Sequence, residues 1–234
     1  MAYRYRRRRR RNRTRVAVVL TLALLSCIFL VSCMASANVL WVRALLGFDV
    51  TDYEGEETVA THAGDGELAL ELCEMVHILS DDRGVYLSSF HDTEEAVDQY
   101  RDAILGYMLR NNYSRYTGNR AELDRAAQAY PQMTVTTLIP QSDFENTVYR
   151  YFGGTTVKNK SGSLYSYLKK ADCYTAPVSV SPRDVEIDVQ SLEETEHTYR
   201  MRFVLSEGEE TSGVYTAVFV KRDDGSCYFR SLVS

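Results

Sequence analysis

Residues 199–220 read YRMRFVLSEGEETSGVYTAVFV, and this stretch decides the fold because its apolar residues recur at every second position. One face of the first half carries Tyr199, Met201, Phe203 and Leu205. The second half, from Val214 to Val220, is rich in β-branched and aromatic residues. A period of two is typical of a strand with one buried face, and Glu207-Gly208-Glu209 is a turn sequence between the halves. The stretch therefore predicts two strands.

The same period continues on both sides of this pair. A preceding strand carries Val185, Ile187 and Val189 on its apolar face, and Cys227 to Val233 form a final strand. Asp223-Asp224-Gly225 is a hairpin signal between the last two strands. Because each strand follows its predecessor by a short connection, we expect an antiparallel meander.

The chain before this meander has the period of helices. Leu68, Leu72, Met75, Val76 and Leu79 lie on one face of a helix that begins near Glu67. Capping-box patterns predict three further helix starts. They are Asp92 with Glu95, Asn119 with Glu122, and Ser142 with Glu145.

The second helix is predicted to be long, with Val97, Tyr100, Ile104, Tyr107 and Met108 on its buried face. Asn111-Asn112 can end it. The last helix carries Phe144, Val148, Tyr149 and Phe152, and Gly153-Gly154 can stop it. A β-prone piece, Met133 to Ile139, lies between the third helix and the last.

Helices first and strands last predict an α+β domain, with helices packed on a C-terminal antiparallel β-meander. The closing Cys227–Leu232 strand and the pattern Ile139-Pro140, Phe144-Glu145 and Tyr151-Phe152-Gly153 resemble the NTF2-like (cystatin-related) cone fold of extracytoplasmic domains in Gram-positive membrane-anchored proteins. The resemblance covers residues 85–234. It implies a cone-shaped sheet with a pocket or a protein-binding face, and it carries over no catalytic residue. Residues 158–177 depart from it, because they interrupt the passage from helix to sheet.

The N-terminal region predicts a membrane anchor. Nine arginines and no acidic residue occupy 1–15, and 16–42 form an uncharged run of 27 residues. As a helix this run would be about 40 Å long, which exceeds a hydrocarbon core of about 30 Å. By the positive-inside bias, 1–15 form a cytoplasmic basic tail. We therefore expect a single-pass cell-membrane protein whose C-terminal domain is extracytoplasmic.

Two cleavage alternatives compete with an uncleaved transmembrane helix over 16–42. Cys27 and Cys33 each end a sequence that resembles a lipoprotein box, so either can be lipid-modified. Ala35-Ser36-Ala37 resembles a signal-peptidase site. The sequence stays apolar after every candidate cut, which favours the anchor. An acidic linker over 43–66 then leads to the domain over 67–234.

The charge of the remaining chain excludes nucleic acid as a partner. Nine of the 27 basic residues lie in the tail, so 18 are left against 32 acidic residues. Such a domain repels phosphate backbones. Cys73, Cys173 and Cys227 lie beyond the span, and they form either one disulfide, Cys173–Cys227, or three buried thiols.

The chain has no motif for catalysis, a metal or a cofactor. HExxH, GxSxG and paired CxxC sequences do not occur. We therefore expect no cofactor and no metal site, and a binding domain rather than an enzyme. The alternative is a small envelope enzyme with a pocket in the cone, in which Glu196 and His197 supply an acid–base pair.

Tyrosine is unusually frequent, at 17 residues. A cluster of candidate binding residues consists of Tyr149, Tyr151, Tyr165, Tyr167, Lys169, Lys170 and Tyr174. Exposed tyrosines near lysines stack on sugar rings or anchor a partner protein. The cluster therefore predicts a surface for a cell-envelope protein or wall polymer. The alternative is that these tyrosines fill the core and the lysines are simply solvated.

Overall fold

The computed structural model describes residues 55–80, 83–154, 157–176 and 184–234, and it has an α+β architecture with antiparallel sheets. Its helices are α1 (Glu67–Ser80), α2 (Thr93–Gln99), α3 (Arg101–Asn111), α4 (Tyr113–Thr117), α5 (Arg120–Ala129) and α6 (Gln141–Phe152). None of these helices is long and apolar enough to cross a membrane. The predicted span over 16–42, with Cys27 and Cys33, lies outside the described residues.

Two antiparallel sheets contain the strands. The strands are β1 (Ala60–His62), β2 (Ile139–Pro140), β3 (Ser166–Leu168), β4 (Cys173–Thr175), β5 (Glu186–Glu194), β6 (Thr198–Glu207), β7 (Glu210–Thr211), β8 (Tyr215–Lys221) and β9 (Cys227–Val233). The large sheet has the order β1-β5-β6-β8-β9, with β7 beside β6, and the small sheet has the order β2-β4-β3. The predicted meander is confirmed by β5, β6, β8 and β9.

The alternation of buried and exposed residues explains how the large sheet packs. Met201, Phe203 and Leu205 on β6 are fully buried, whereas Arg202 between them is exposed. The buried side chains share one hydrophobic core with the predicted face of α1. Each fully buried apolar side chain stabilises the fold by about 1.5–3 kcal/mol. This core fixes the sheet against the helices.

Two of the three predicted helix caps are confirmed. Asp92 accepts a hydrogen bond from the Glu95 N–H at 2.9 Å, and Asn119 accepts one from the Glu122 N–H. The cap at Ser142 is wrong. The N-cap of helix α6 is Pro140, two residues earlier, and its side chain has no atom that accepts a hydrogen bond from the helix.

The predicted long helix is broken into α2 and α3 at Tyr100. The ring of Tyr100 is fully buried, and its hydroxyl lies 2.7 Å from both the backbone N and O of Ser88. Tyr100 has φ −104° and ψ 17°, which interrupts the helical path. A tertiary contact therefore overrides a continuous helical pattern. Helix α4, which follows Asn112, has no counterpart in the prediction.

The predicted linker over 43–66, of which residues 55–66 are described, is partly a strand. Its residues in β1 pair with β5, and His62 Nε2 lies 2.7 Å from Glu194 Oε2. Farther upstream, Glu56 Oε1 lies 2.8 Å from His197 Nδ1. The sequence did not predict this short edge strand, because three residues are too few to show a period of two.

The described part of the predicted interruption, residues 158–176, forms β3 and β4. The buried carboxylate of Asp102 accepts hydrogen bonds from the backbone N–H groups of Ser163 and Leu164. A Cβ on Gly162 would collide with Asp102 Oδ1, so only glycine fits there. Of the β-prone piece Met133–Ile139, only its last residue enters a strand, β2.

The three described cysteines carry free thiols, so the Cys173–Cys227 disulfide is wrong. Cys227 is buried with its sulfur 3.7 Å from that of Met75. Burial raises the pKa of Cys73 to about 11 and that of Cys227 to about 12. Both sulfurs therefore stay protonated at neutral pH.

Candidate functional site

The candidate tyrosines do not form one surface. Tyr165 and Tyr174 are buried, with at most 1% of either residue exposed. The Tyr174 hydroxyl accepts a hydrogen bond from Arg101 and donates one to Asn159 Oδ1 at 2.6 Å. The ring also packs on Phe144 with 5.1 Å between centroids. These two tyrosines therefore belong to the core.

Tyr167, Lys169 and Lys170 lie in or beside the small sheet. The Tyr167 hydroxyl lies 2.6 Å from Gln141 Oε1 and 3.0 Å from Asp172 Oδ1. Burial and the Asp172 carboxylate raise the pKa of Tyr167 to about 12. Both lysines are exposed in the β3–β4 turn. This group surrounds the first residue of α6.

Tyr149 and Tyr151 lie at the opposite end of α6. Ten residues separate Gln141 from Tyr151, which corresponds to about 15 Å along a helix. Tyr149 is 63% exposed and Tyr151 is half-buried. The two of them border a concave surface, which we call the Tyr107–Tyr151 groove.

The Tyr107–Tyr151 groove has two lobes, with volumes of about 480 and 660 Å³. Glu74, Tyr107, Arg150 and Tyr151 line both lobes and so mark their junction. The first lobe is completed by Met108, Asn111, Asn112, Arg115, Tyr116, Asp143, Asn146 and Thr147. The second is completed by Glu71, Met75, Tyr149, Arg222, Asp224, Ser226 and Cys227. Helices α1, α3, α4 and α6 and the β8–β9 hairpin supply the walls.

Two tyrosines meet at the junction of the lobes. The rings of Tyr107 and Tyr151 are nearly perpendicular, at 82°, with centroids 6.1 Å apart. Their hydroxyl oxygens lie 3.5 Å apart. Burial, followed by the hydrogen bond with Tyr151, raises the pKa of Tyr107. The junction therefore presents neutral hydroxyl groups that can donate and accept hydrogen bonds.

Arg222 holds the end of α6 in place. Its guanidinium donates hydrogen bonds to the backbone carbonyls of Tyr149, at 2.6 Å, and Arg150, at 3.1 Å. It also lies over the rings of Tyr149 and Tyr228, at 5.4 and 4.9 Å from their centroids. The last carbonyls of a helix lack intrahelical partners, and a cation there opposes the helix dipole. The β8–β9 hairpin thus positions Tyr149.

Other charged groups surround the junction. Arg150 lies 5.2 Å from the centroid of the Tyr151 ring. Arg115 pairs with Asp143 at 2.7 Å, and Asp143 also accepts a hydrogen bond from the Tyr116 hydroxyl at 3.1 Å. The charge of Glu74 raises the pKa of Tyr107 and the charge of Arg150 lowers it, so an acid and a base both act on this hydroxyl. The site is ionic but of mixed sign.

The alternative site at Glu196 and His197 lies elsewhere. Both residues are exposed on the turn between β5 and β6, and His197 pairs with Glu56. Neither residue lines a lobe of the groove. Glu56 also accepts a hydrogen bond from the Thr195 hydroxyl, so this pair fastens the start of the domain to the hairpin. Among the described residues, no three His, Cys, Asp or Glu side chains form a metal-ligand group.

Of the residues that line the groove, sequence reasoning selected only Tyr149 and Tyr151 as candidate binding residues. The helical period places Tyr107 on a buried face, yet its hydroxyl borders the groove. Arg222 lies two residues after Val220, the last residue of a predicted strand. The only signal for these two residues was their type, because arginine and tyrosine are common in binding sites. No protein-family model, curated protein or solved structure matches the chain.

Proposed function

We propose that this protein is a non-catalytic binding protein displayed on the outer face of a cell membrane. Residues 16–42 anchor it, and the domain that follows takes a cell-envelope ligand into the Tyr107–Tyr151 groove. The domain binds this ligand and does not chemically convert it. The observation that carries the proposal is the groove itself, where two lobes meet at a pair of tyrosines.

The groove has the composition of a recognition site. Tyrosine and arginine are enriched at binding hot spots because each offers a large contact area together with polar atoms. Tyr149 and Arg150 are exposed, and both come from the rigid end of α6. Hydrogen bonds from Arg222 hold this end of the helix, so these two residues lose little conformational entropy when a ligand binds.

The anchor rests on the length and charge of the N-terminal sequence. The 27 uncharged residues follow nine arginines, and that order favours a cytoplasmic tail. Mass spectrometry of the mature protein tests this part of the proposal. An intact arginine tail is expected, whereas a lipid on Cys27 or Cys33 would replace the anchor with a lipoprotein.

The NTF2-like cone is the architecture that we propose for the domain. The proposal is supported by the single core that the helices share with an antiparallel sheet. The sheet has irregularities at Val189–Ser191 and at Val218–Phe219. Bulges of this kind bend strands and increase their twist, which is what a cone-shaped sheet requires.

Binding of the full-length chain to envelope material tests the function. The chain is placed in nanodiscs and exposed to envelope polymer and to solubilised envelope proteins from the cells that make it. Tyr149→Ala and Arg150→Ala are expected to reduce binding. Tyr86→Ala is the matched control, because Tyr86 is 65% exposed and does not line the groove. Equal binding by all three variants and the parent chain would overturn the proposal.

A further inference from the structure

We infer that the ligand of the Tyr107–Tyr151 groove is an oligosaccharide that carries little net charge and is at least two sugar units long. This inference rests on the proposed function and adds the chemical class of the ligand. It follows from three properties of the groove: the balance of its charges, the kind of polar groups in its walls, and its division into two lobes.

The charges of the groove argue against a polyanion. Four acids line it, which are Glu71, Glu74, Asp143 and Asp224. Three arginines oppose them, and two of these already have partners. Arg115 is paired with Asp143, and Arg222 donates to the carbonyls at the end of α6. An anionic polymer would therefore meet at least as many carboxylates as available guanidinium groups.

The lysines that lie near the candidate tyrosines in the sequence are located outside the groove. Lys158 pairs with Glu94 at 2.6 Å, and Lys160 pairs with Asp98 at 3.0 Å. Lys169 is in the β3–β4 turn, near the opposite end of α6. The basic and aromatic residues that are interleaved in the sequence are thus separated in space. A ligand in the groove meets tyrosines together with charged side chains of both signs, which are arginines and acidic residues.

The uncharged polar groups of the walls match the hydroxyl groups of sugars. The first lobe contains Asn111, Asn112, Asn146 and Thr147, and the second contains Ser226. Amides and hydroxyls both donate and accept hydrogen bonds, as sugar hydroxyls do. Glu74 adds a carboxylate that can accept two hydroxyl donors at once. Such walls suit a ligand that is rich in hydroxyl groups.

A peptide ligand fits these walls less well. Peptides bind by adding a strand to an open sheet edge, or by placing apolar anchors in a hydrophobic groove. The groove is walled by helices and a hairpin tip, and its apolar members Met75, Met108 and Cys227 are each at most 7% exposed. Tyrosine rings are therefore its main accessible carbon surface. The C–H face of a sugar ring packs on the negative face of such a ring.

The two lobes set the length of the ligand. Their volumes, about 480 and 660 Å³, each lie within the range of roughly 300–1,000 Å³ for small-molecule sites. Tyr107 and Tyr151 line both lobes, so one chain that crosses this pair contacts both. Tyr149 borders only the second lobe and Asn146 only the first. A disaccharide or longer chain is needed to contact both.

The experiment measures binding of defined probes to the full-length chain in neutral-lipid nanodiscs by calorimetry. The probes are a tetramer and a monomer of N-acetylglucosamine, cellotetraose, poly(glycerol phosphate) and a neutral tyrosine-containing peptide. A tetrasaccharide is expected to bind at least about tenfold more tightly than the monomer, because it contacts both lobes. Its affinity is expected to change less than about twofold between about 50 and 500 mM salt, because no counterions are released.

Variants on each lobe locate the probe. Tyr149→Ala and Asn146→Ala alter exposed side chains of different lobes, and each is expected to weaken tetrasaccharide binding about tenfold. Tyr86→Ala is expected to bind like the parent chain. Unchanged tetrasaccharide binding in both lobe variants would overturn the inference, because the sugar would then occupy another surface.

The remaining outcomes separate this inference from the proposed function. If poly(glycerol phosphate) or the peptide binds through Tyr149 while no sugar binds, the oligosaccharide assignment is overturned and the binding function stands. If Tyr149→Ala and Asn146→Ala change the binding of neither the probes nor the envelope material, the oligosaccharide assignment and the proposed binding function are both overturned.

Discussion

Replacing Asp102 by alanine tests what holds residues 157–165 against the helices. The Asp102 side chain is buried on α3, and its Oδ2 lies 2.7 Å from the Ser163 N, 2.6 Å from the Ser163 Oγ and 3.0 Å from the Leu164 N. A fourth donor, the N–H of Tyr165, approaches Oδ1 at 3.3 Å. One carboxylate therefore fixes three consecutive residues.

The expected loss of stability follows from these bonds. A hydrogen bond to a charged group contributes roughly 1.5–3 kcal/mol, so the two short bonds from Ser163 are worth about 3–6 kcal/mol before offsets. Two effects offset part of this loss. The variant no longer has the unfavourable desolvation of a buried charge, and water can hydrogen-bond to the N–H of Leu164, which is 45% exposed. We expect a net loss of about 3 kcal/mol. For a domain of this size that corresponds to a fall in Tm of about 6–12 °C.

Thermal and urea unfolding of the full-length chain in detergent micelles measure the loss. The matched control is Glu94→Ala, because Glu94 holds the same segment through Lys158 but from the surface of α2. Hydrogen exchange gives a local readout, since the amides of Ser163 to Tyr165 are expected to exchange faster only in Asp102→Ala. If Asp102→Ala unfolds at the same temperature as Glu94→Ala, the buried carboxylate does not position this segment.

Three further predictions concern pH, backbone conformation and thiol chemistry. Lys221 holds the pKa of Glu194 below its ordinary 4.5, so the carboxylate stabilises the fold above that pH and the effect is lost as pH falls through the lower folded-state pKa. Glu194→Gln should therefore flatten the acid side of a Tm–pH curve, and an unchanged slope below pH 4.5 would contradict this. Gly153 has a φ of 73°, so Gly153→Ala should cost about 1–2 kcal/mol in urea unfolding. Gly154→Ala, which enters open space at an ordinary φ, should change stability by less than about 0.5 kcal/mol. Because its pKa is about 12, Cys227 should react with iodoacetamide at pH 8 far more slowly in the folded chain than in urea, and equal rates would show that the thiol is accessible.

The strands were predictable because the sequence signals that define them lie within or next to each strand. Each strand of the meander pairs with its neighbour in the chain, so hairpin turns and a period of two suffice to place it. The last strand begins and ends at the predicted residues, Cys227 and Val233, and β8 is shifted by one residue from Val214–Val220. Helix starts at Asp92 and Asn119 were equally local, since a cap is completed within four residues.

The structure of residues 158–177 was not predictable, because a distant residue determines it. Asp102 lies about sixty positions before the backbone that it binds, and no local pattern marks it as the partner. The same reason explains the candidate tyrosines. Tyr151 and Tyr174 are close in sequence, yet one borders the groove and the other is buried beside Phe144. Composition identifies such residues, but only the packing of α6 decides which of them face solvent.

The attachment of residues before α1 limits where the proposed ligand can lie. Glu56 is held by His197, and β1 pairs with β5, so the domain begins at or before Glu56 instead of Glu67. If the proposed anchor ends at residue 42, only residues 43–55 remain between them. A chain of this length spans at most about 45 Å when fully extended, and about 20 Å on average if it is flexible. A compact domain of this size is roughly 40 Å across. If the proposed anchor is retained, the proposed ligand must therefore be an envelope component that reaches to within about 90 Å of the membrane.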